Sequence, residues 1–121
     1  MYGFIGGDAG SFTIALYDNN GGIPGTELHS AQATFDGFEG FEGLSGLSWA
    51  VAASNYWVAF EVRAGDTLNG YMSYTGTSNP LPGGAFSNGN VTMGYVPTNI
   101  SMGVRVYGNG IAGGAVPEPA T

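Results

Sequence analysis

The chain has no cysteine and no lysine, two arginines, a single histidine and few of the residues that favour helices. Without cysteine there are no disulfides, no thiolate metal sites and no cysteine nucleophile, so the fold rests on its core or on a bound ion. Two cationic side chains against nine acidic ones give a net charge of -7. That leaves no positive surface for a phosphate backbone and excludes nucleic acid as a partner. One histidine cannot supply the imidazoles of a zinc site. His29 lies between Leu28 and Ser30 with no nucleophile-elbow glycines nearby, so a Ser-His-Asp triad is not expected either.

What is present points to a β protein. The hydrophobic share is 43%, with 7 Phe, 7 Tyr and 2 Trp, enough to build a core and to exclude disorder through low hydrophobicity. The 121 residues make one domain, and the 23 glycines are dispersed without a triplet period, as expected for many tight turns. Period-2 alternation breaks the chain into about eight short segments bounded by Gly, Asn, Pro and Asp. Phe12 to Tyr17 places Phe12, Ile14 and Leu16 on one face, Asp18 to Gly22 with Pro24-Gly25 supplies a reversal, and Leu28 to Phe35 is a second strand.

Tyr56 to Arg63 is the clearest strand, with Tyr56, Val58, Phe60 and Val62 expected in the core and Trp57, Ala59, Glu61 and Arg63 outside. Further strands are read over Leu68 to Tyr74, Val91 to Val96 and Ile100 to Tyr107. In the last of these Ile100, Met102, Val104 and Val106 face inward. Between residues 36 and 47 four X-Gly-apolar triplets fit neither strand nor helix. They are read as a surface loop whose Phe38, Phe41 and Leu44 fold back over the core. With no helical crossover for parallel pairing, the expected fold is all-β, a two-sheet antiparallel sandwich of jelly-roll type over residues 1–107.

Residues 108–121 have a different composition: a Gly-rich linker, then Val116-Pro117-Glu118-Pro119-Ala120-Thr121. This hexapeptide resembles the opening of the PEP-CTERM sorting signal of exported proteins in Gram-negative bacteria, its Pro-Glu-Pro element falling on Pro117, Glu118 and Pro119. The resemblance implies processing by an exosortase as partner and a destination at the cell surface or in the extracellular polysaccharide of a biofilm. In that family a transmembrane helix and a basic cluster follow the motif. Neither follows Thr121, so the anchoring part is expected to be missing and membrane contact to occur only through it. The start, Met1 to Ile5, lacks a basic n-region and a long apolar stretch, so a signal peptide is expected to have been removed or the chain to begin within a longer protein. In the body, FTIALYDNNGGIPGT from Phe12, SNYWVAFEVR from Ser54 and GVRVYG from Gly103 resemble elements of β-sandwich domains that precede this signal, most without an assigned activity.

Three chemistries remain to be placed. Trp57, alternating away from the core, is the candidate for stacking on a sugar, with Tyr71 and Tyr107 as its neighbours if their strands pair suitably. Trp49, between Leu47 and Val51 on its face, reads as core. Asp18, Asn19 and Asn20 offer hard oxygen ligands for a calcium ion, against which stands their ordinary use in turns. Glu61 is the one acid in a confident strand interior. No second acid occupies a comparable place, and Arg63 two residues on gives it a surface ion partner, so glycoside hydrolysis ranks third. The expectation is therefore a non-catalytic exported matrix protein, with a carbohydrate-binding module as the alternative.

Overall fold

The structure, a computed structural model, describes residues 1–72, 84–86, 96–98 and 104–106; side-chain surroundings below concern 1–72, Val104 and Val106. Among these residues every regular element is a strand: β1 Tyr2–Asp8, β2 Gly10–Asn20, β3 Ile23–Phe35, β4 Gly40–Gly43, β5 Tyr56–Glu61, β6 Asn69–Met72, β7 Gly84–Phe86, β8 Val96–Thr98 and β9 Val104–Arg105. All pairings are antiparallel. One sheet runs β4-β1-β6, with β9 also on β1; a second runs β3-β2-β5; β7 pairs with β8.

The long β2-β3 hairpin organises the second sheet. Its reversal needs only Gly21 and Gly22, at φ 64° and 94°, the pair of left-handed positions that a two-residue turn of type I′ requires. Asp18, Asn19 and Asn20 therefore belong to β2, and Pro24 and Gly25, expected to complete the turn, belong to β3. Pro24 is tolerated because β3 is the sheet edge among the described residues, where a missing N–H breaks no ladder. Register shifts follow Leu16 and Tyr17: Leu16 pairs with His29 but Tyr17 with Glu27, so Leu28 bulges out and is 40% exposed.

Ile5, Phe12, Ile14, Ala33 and Phe35 form the buried cluster, with Met1, Leu44, Trp49, Val58, Phe60, Leu68 and Met72 packed against it. Ile5 and Met72 come from the first sheet and the rest of the strand residues from the second, so the two sheets share one core. Val58 and Phe60 thus pack where the alternation puts them. Val62 does not: it lies beyond β5 and is 38% exposed. Ala59 and Glu61, expected outside, are among the most buried residues, because the other face of β5 is covered by the polar groups described below. Val104 and Val106 are half-buried; Ile100 and Met102 lie outside the described residues.

One expectation about the glycine-rich parts is corrected, and one strand is added. β1, YGFIGGD, is a strand that is not among the segments read from alternation. The triplet segment is not a loop throughout: β4 pairs with β1, placing Phe41 opposite Phe4 with ring centroids 5.1 Å apart at 88°, and only Leu44 packs on the core. Phe38 is 78% exposed and covers nothing. The Met1 ammonium donates to the Leu44 carbonyl at 2.6 Å and Leu44 N–H to the Met1 carbonyl at 3.0 Å, fixing the end of β4 beside the start of β1.

Candidate functional site

The polar residues gather on the face of the β3-β2-β5 sheet turned away from the core. Thr13, Ala15 and Tyr17 on β2 stand opposite Glu61, Ala59 and Trp57 on β5, alternating with core-facing Ile14 and Leu16. Glu61 Oε2 accepts the Tyr17 hydroxyl at 2.7 Å, and Oε1 accepts Arg63 Nε at 2.8 Å, with Nη2 of the same guanidinium 2.6 Å away. Arg63 also donates to Tyr17 Oη at 3.3 Å and closes an ion pair with Glu27, which the β3 bulge has brought to this face. The expected Glu61–Arg63 pair is present, but Glu61 is buried, its side chain 1% exposed, rather than a surface partner.

Burial, and then the hydrogen bond and charge of Glu61, push the Tyr17 phenol up to about 12. Burial works against the Arg63 charge, yet its hydrogen bonds to Glu27 and Glu61 outweigh this and hold the guanidinium protonated beyond its ordinary range. Beside this group, Asp66 Oδ2 accepts Thr13 Oγ1 at 2.8 Å and the Arg63 N–H at 2.9 Å, and Oδ1 accepts Gln32 Nε2 at 2.8 Å. Burial alone would raise the Asp66 carboxyl, but these donors, with Ser11, hold it below the usual value. Both carboxylates that face Arg63 bind the same guanidinium. The arrangement fastens β2, β3 and β5 together.

The calcium candidates sit at the end of the hairpin, around a polar hollow completed by Pro24, Gly25 and Thr26. Asp18 Oδ1 accepts the Thr26 N–H at 2.6 Å; Asn19 Oδ1 accepts the Gly22 N–H at 3.2 Å and Trp57 Nε1 at 2.9 Å. These oxygens build the turn, and among the described residues no three His, Cys, Asp or Glu side chains group as metal ligands. Asn20 is exposed.

The sugar-stacking candidates are not brought together. Trp57 is half-buried, tied to Asn19, on the outer face of the second sheet, whereas Tyr71 is 58% exposed on β6 of the first. β5 pairs with β2 and β6 with β1, and each aromatic alternates with a core-packed neighbour, Val58 or Met72, so the two rings lie on faces turned away from each other. Tyr107 and Val116 to Thr121 lie outside the described residues. His29 stacks on Trp49 with centroids 5.4 Å apart at 9°, and its Nε2 lies 3.3 Å from the Ala50 carbonyl oxygen, so both rings serve the packing at the core margin.

The roles of Tyr17, Glu27 and Gln32 escaped the sequence reading, as did the place of Asp66 beside them. Their grouping depends on register and on a bulge, and only the Glu61–Arg63 spacing hinted at it. Among the described residues no helix is long and apolar enough to cross a membrane. No family model, no curated protein and no solved structure matches the chain.

Proposed function

We propose that this chain is a non-catalytic exported protein of the cell surface or extracellular polysaccharide matrix of a Gram-negative bacterium, sorted by a PEP-CTERM signal that an exosortase processes. The observation that carries the reading is the hexapeptide Val116-Pro117-Glu118-Pro119-Ala120-Thr121 behind the Gly-rich residues 108–114. The domain ahead of it is an antiparallel sandwich of jelly-roll type, a reading supported by two sheets that share one core. The absence of catalysis is supported by the use of Glu27, Glu61 and Asp66, whose carboxylates are bound by Arg63, Tyr17, Thr13 and Gln32.

The test is delivery in the natural host. With Pro117, Glu118 and Pro119 all replaced by Ala, the protein should leave the extracellular polymer fraction and accumulate in the cell envelope. Equal recovery of parent and variant outside the cell would overturn the sorting reading.

A further inference from the structure

The β2-β3 hairpin reverses directly after Asn20, and the surroundings of Asn20 and Gly21 differ from those of the other asparagines among the described residues, Asn19, Asn55 and Asn69. An asparagine side chain is open to attack by the amide nitrogen of the next residue when three conditions meet: a successor without a Cβ, an unbonded side-chain amide and a main chain free to rotate. Asn20 is exposed, and among the described residues neither its side-chain amide nor the Gly21 N–H has a hydrogen-bond partner. A Cβ at Gly21 or Gly22 would meet no atom within 4 Å, so both glycines stand clear of packing. Only the last pair of the ladder, Asn20 with Ile23, has to open for the Asn20 main chain to turn.

The other three asparagines lack at least one of these conditions. Asn19 precedes Asn20 rather than a glycine, and its Oδ1 is held by the Gly22 N–H and Trp57 Nε1. Asn55 precedes Tyr56. Asn69 does precede a glycine, but its Nδ2 lies 3.5 Å from Asp8 Oδ2 and its main chain is fixed on both sides. There the Leu68 N–H bonds to the Ser11 carbonyl at 2.9 Å, and Gly70 lies against the Gly6 carbonyl oxygen. Asn88 and Asn109, each also before a glycine, lie outside the described residues.

We propose that Asn20 is a site of spontaneous deamidation, with water as the co-reactant. The Gly21 nitrogen attacks Asn20 Cγ; the N–Cγ bond forms, the Cγ–Nδ2 bond breaks, and the Gly21 proton leaves with the amide as ammonia. Water then opens the five-membered imide. Addition at Cγ restores the main chain with an aspartate, whereas addition at the former backbone carbonyl carries the main chain through Cγ and leaves an isoaspartate. Either product places a new carboxylate in the polar hollow where Asp18 Oδ1 accepts the Thr26 N–H. The isoaspartate also lengthens the main chain by one methylene at the final ladder pair, which the two-residue turn cannot absorb in register. The hairpin tip thus carries an irreversible, time-dependent change that needs neither a ligand nor the sorting signal.

The test holds the purified chain in mildly alkaline buffer, folded and in denaturant, and reads the chymotryptic peptides that follow Tyr17 and Leu68 by mass spectrometry for amide loss and isoaspartate. In the folded chain Asn20 should convert about tenfold faster than Asn69, and in denaturant the two rates should agree within about twofold, because both residues precede glycine. Asn20→Gln should abolish amide loss from the first peptide. Gly21→Ala should slow it about tenfold, and because alanine at φ 64° strains the turn, the comparison in denaturant separates the steric effect from folding. Equal rates at Asn20 and Asn69 in the folded chain, an Asn20 that stays intact there while converting in denaturant, or amide loss that persists in Asn20→Gln would each overturn the proposal.

Discussion

The two sheets share a core but finish their outer faces in opposite ways. On β3-β2-β5 the exterior is polar and committed, its charges bound to one another across three strands. On β4-β1-β6 it is aromatic and thinly built, with Phe4 against Phe41 and Tyr71 lying over a glycine. The first arrangement adds stability and leaves little for a ligand; the second leaves flat apolar rings facing water. A single domain can thus finish one face as a bonded network and leave the other apolar, and each substitution below tests one side of that division.

The largest effect should come from the core, which serves both faces alike. Phe12 is 1% exposed and packs in the cluster with Ile5 and Phe35. Phe12→Ala should cost about 3 to 5 kcal/mol in denaturant unfolding, as large-to-small changes in packed interiors do. A loss well under this range would mean that the sheets do not depend on a common core.

Next comes the polar face. Arg63→Ala would leave Glu61, with a side chain 1% exposed, without its cation. The expected loss is about 3 kcal/mol, the low end for removal of one partner of a buried pair, since Arg63 itself is 25% exposed. Replacing Arg63 and Glu61 together by apolar residues should restore part of that stability, and a double-mutant cycle measures the coupling.

The same face should give the protein two pH limits. The Asp66 carboxyl is held below its ordinary value, so its contribution is complete above the unfolded pKa, near 3.8, and is lost as pH falls through the folded value. The Tyr17 phenol is raised from 10.0 to about 12, so its contribution is complete below pH 10 and is lost as pH rises toward 12. Thermal melts across pH should therefore show Asp66→Asn flattening the acid limb and Tyr17→Phe flattening the alkaline one. A parent and a Tyr17→Phe variant with the same alkaline slope would refute the second assignment.

How far these features are legible in the sequence differs between the faces too. The strands of the polar sheet alternate cleanly over Phe12 to Tyr17 and Tyr56 to Glu61, and the Gly21-Gly22 reversal stands between turn formers, so both elements are visible in one dimension. Their burial is not. Alternation implies one wet face, but Thr13, Ala15, Ala59 and Glu61 are buried on the second face by side chains that arrive from Glu27, Arg63, Asp66 and Gln32. The aromatic sheet is harder. Gly3, Gly6 and Gly7 dilute the β signal of β1, and the triplet rhythm around Phe41 hides β4, since neither is a strand until the other lies beside it. The separation of Trp57 from Tyr71 follows from the same cause, because pairing partners, unlike alternation, leave no mark along the chain.

The smallest effects should sharpen the contrast most directly, through one change made on each face. Trp57→Leu removes the Nε1 donor to Asn19 Oδ1, an oxygen that also holds the Gly22 N–H of the hairpin turn, and it uncovers part of the face beside Tyr17. About 1 to 2 kcal/mol should be lost, a hydrogen bond plus some buried ring area. Tyr71→Leu makes the same kind of replacement on the aromatic sheet, where the ring is 58% exposed and rests on Gly6. There the loss should stay within about 0.5 kcal/mol, as for surface substitutions that keep apolar cover. If the two variants unfold at the same denaturant concentration, the outer faces are energetically alike, and the contrast between a bonded face and a thinly built one fails.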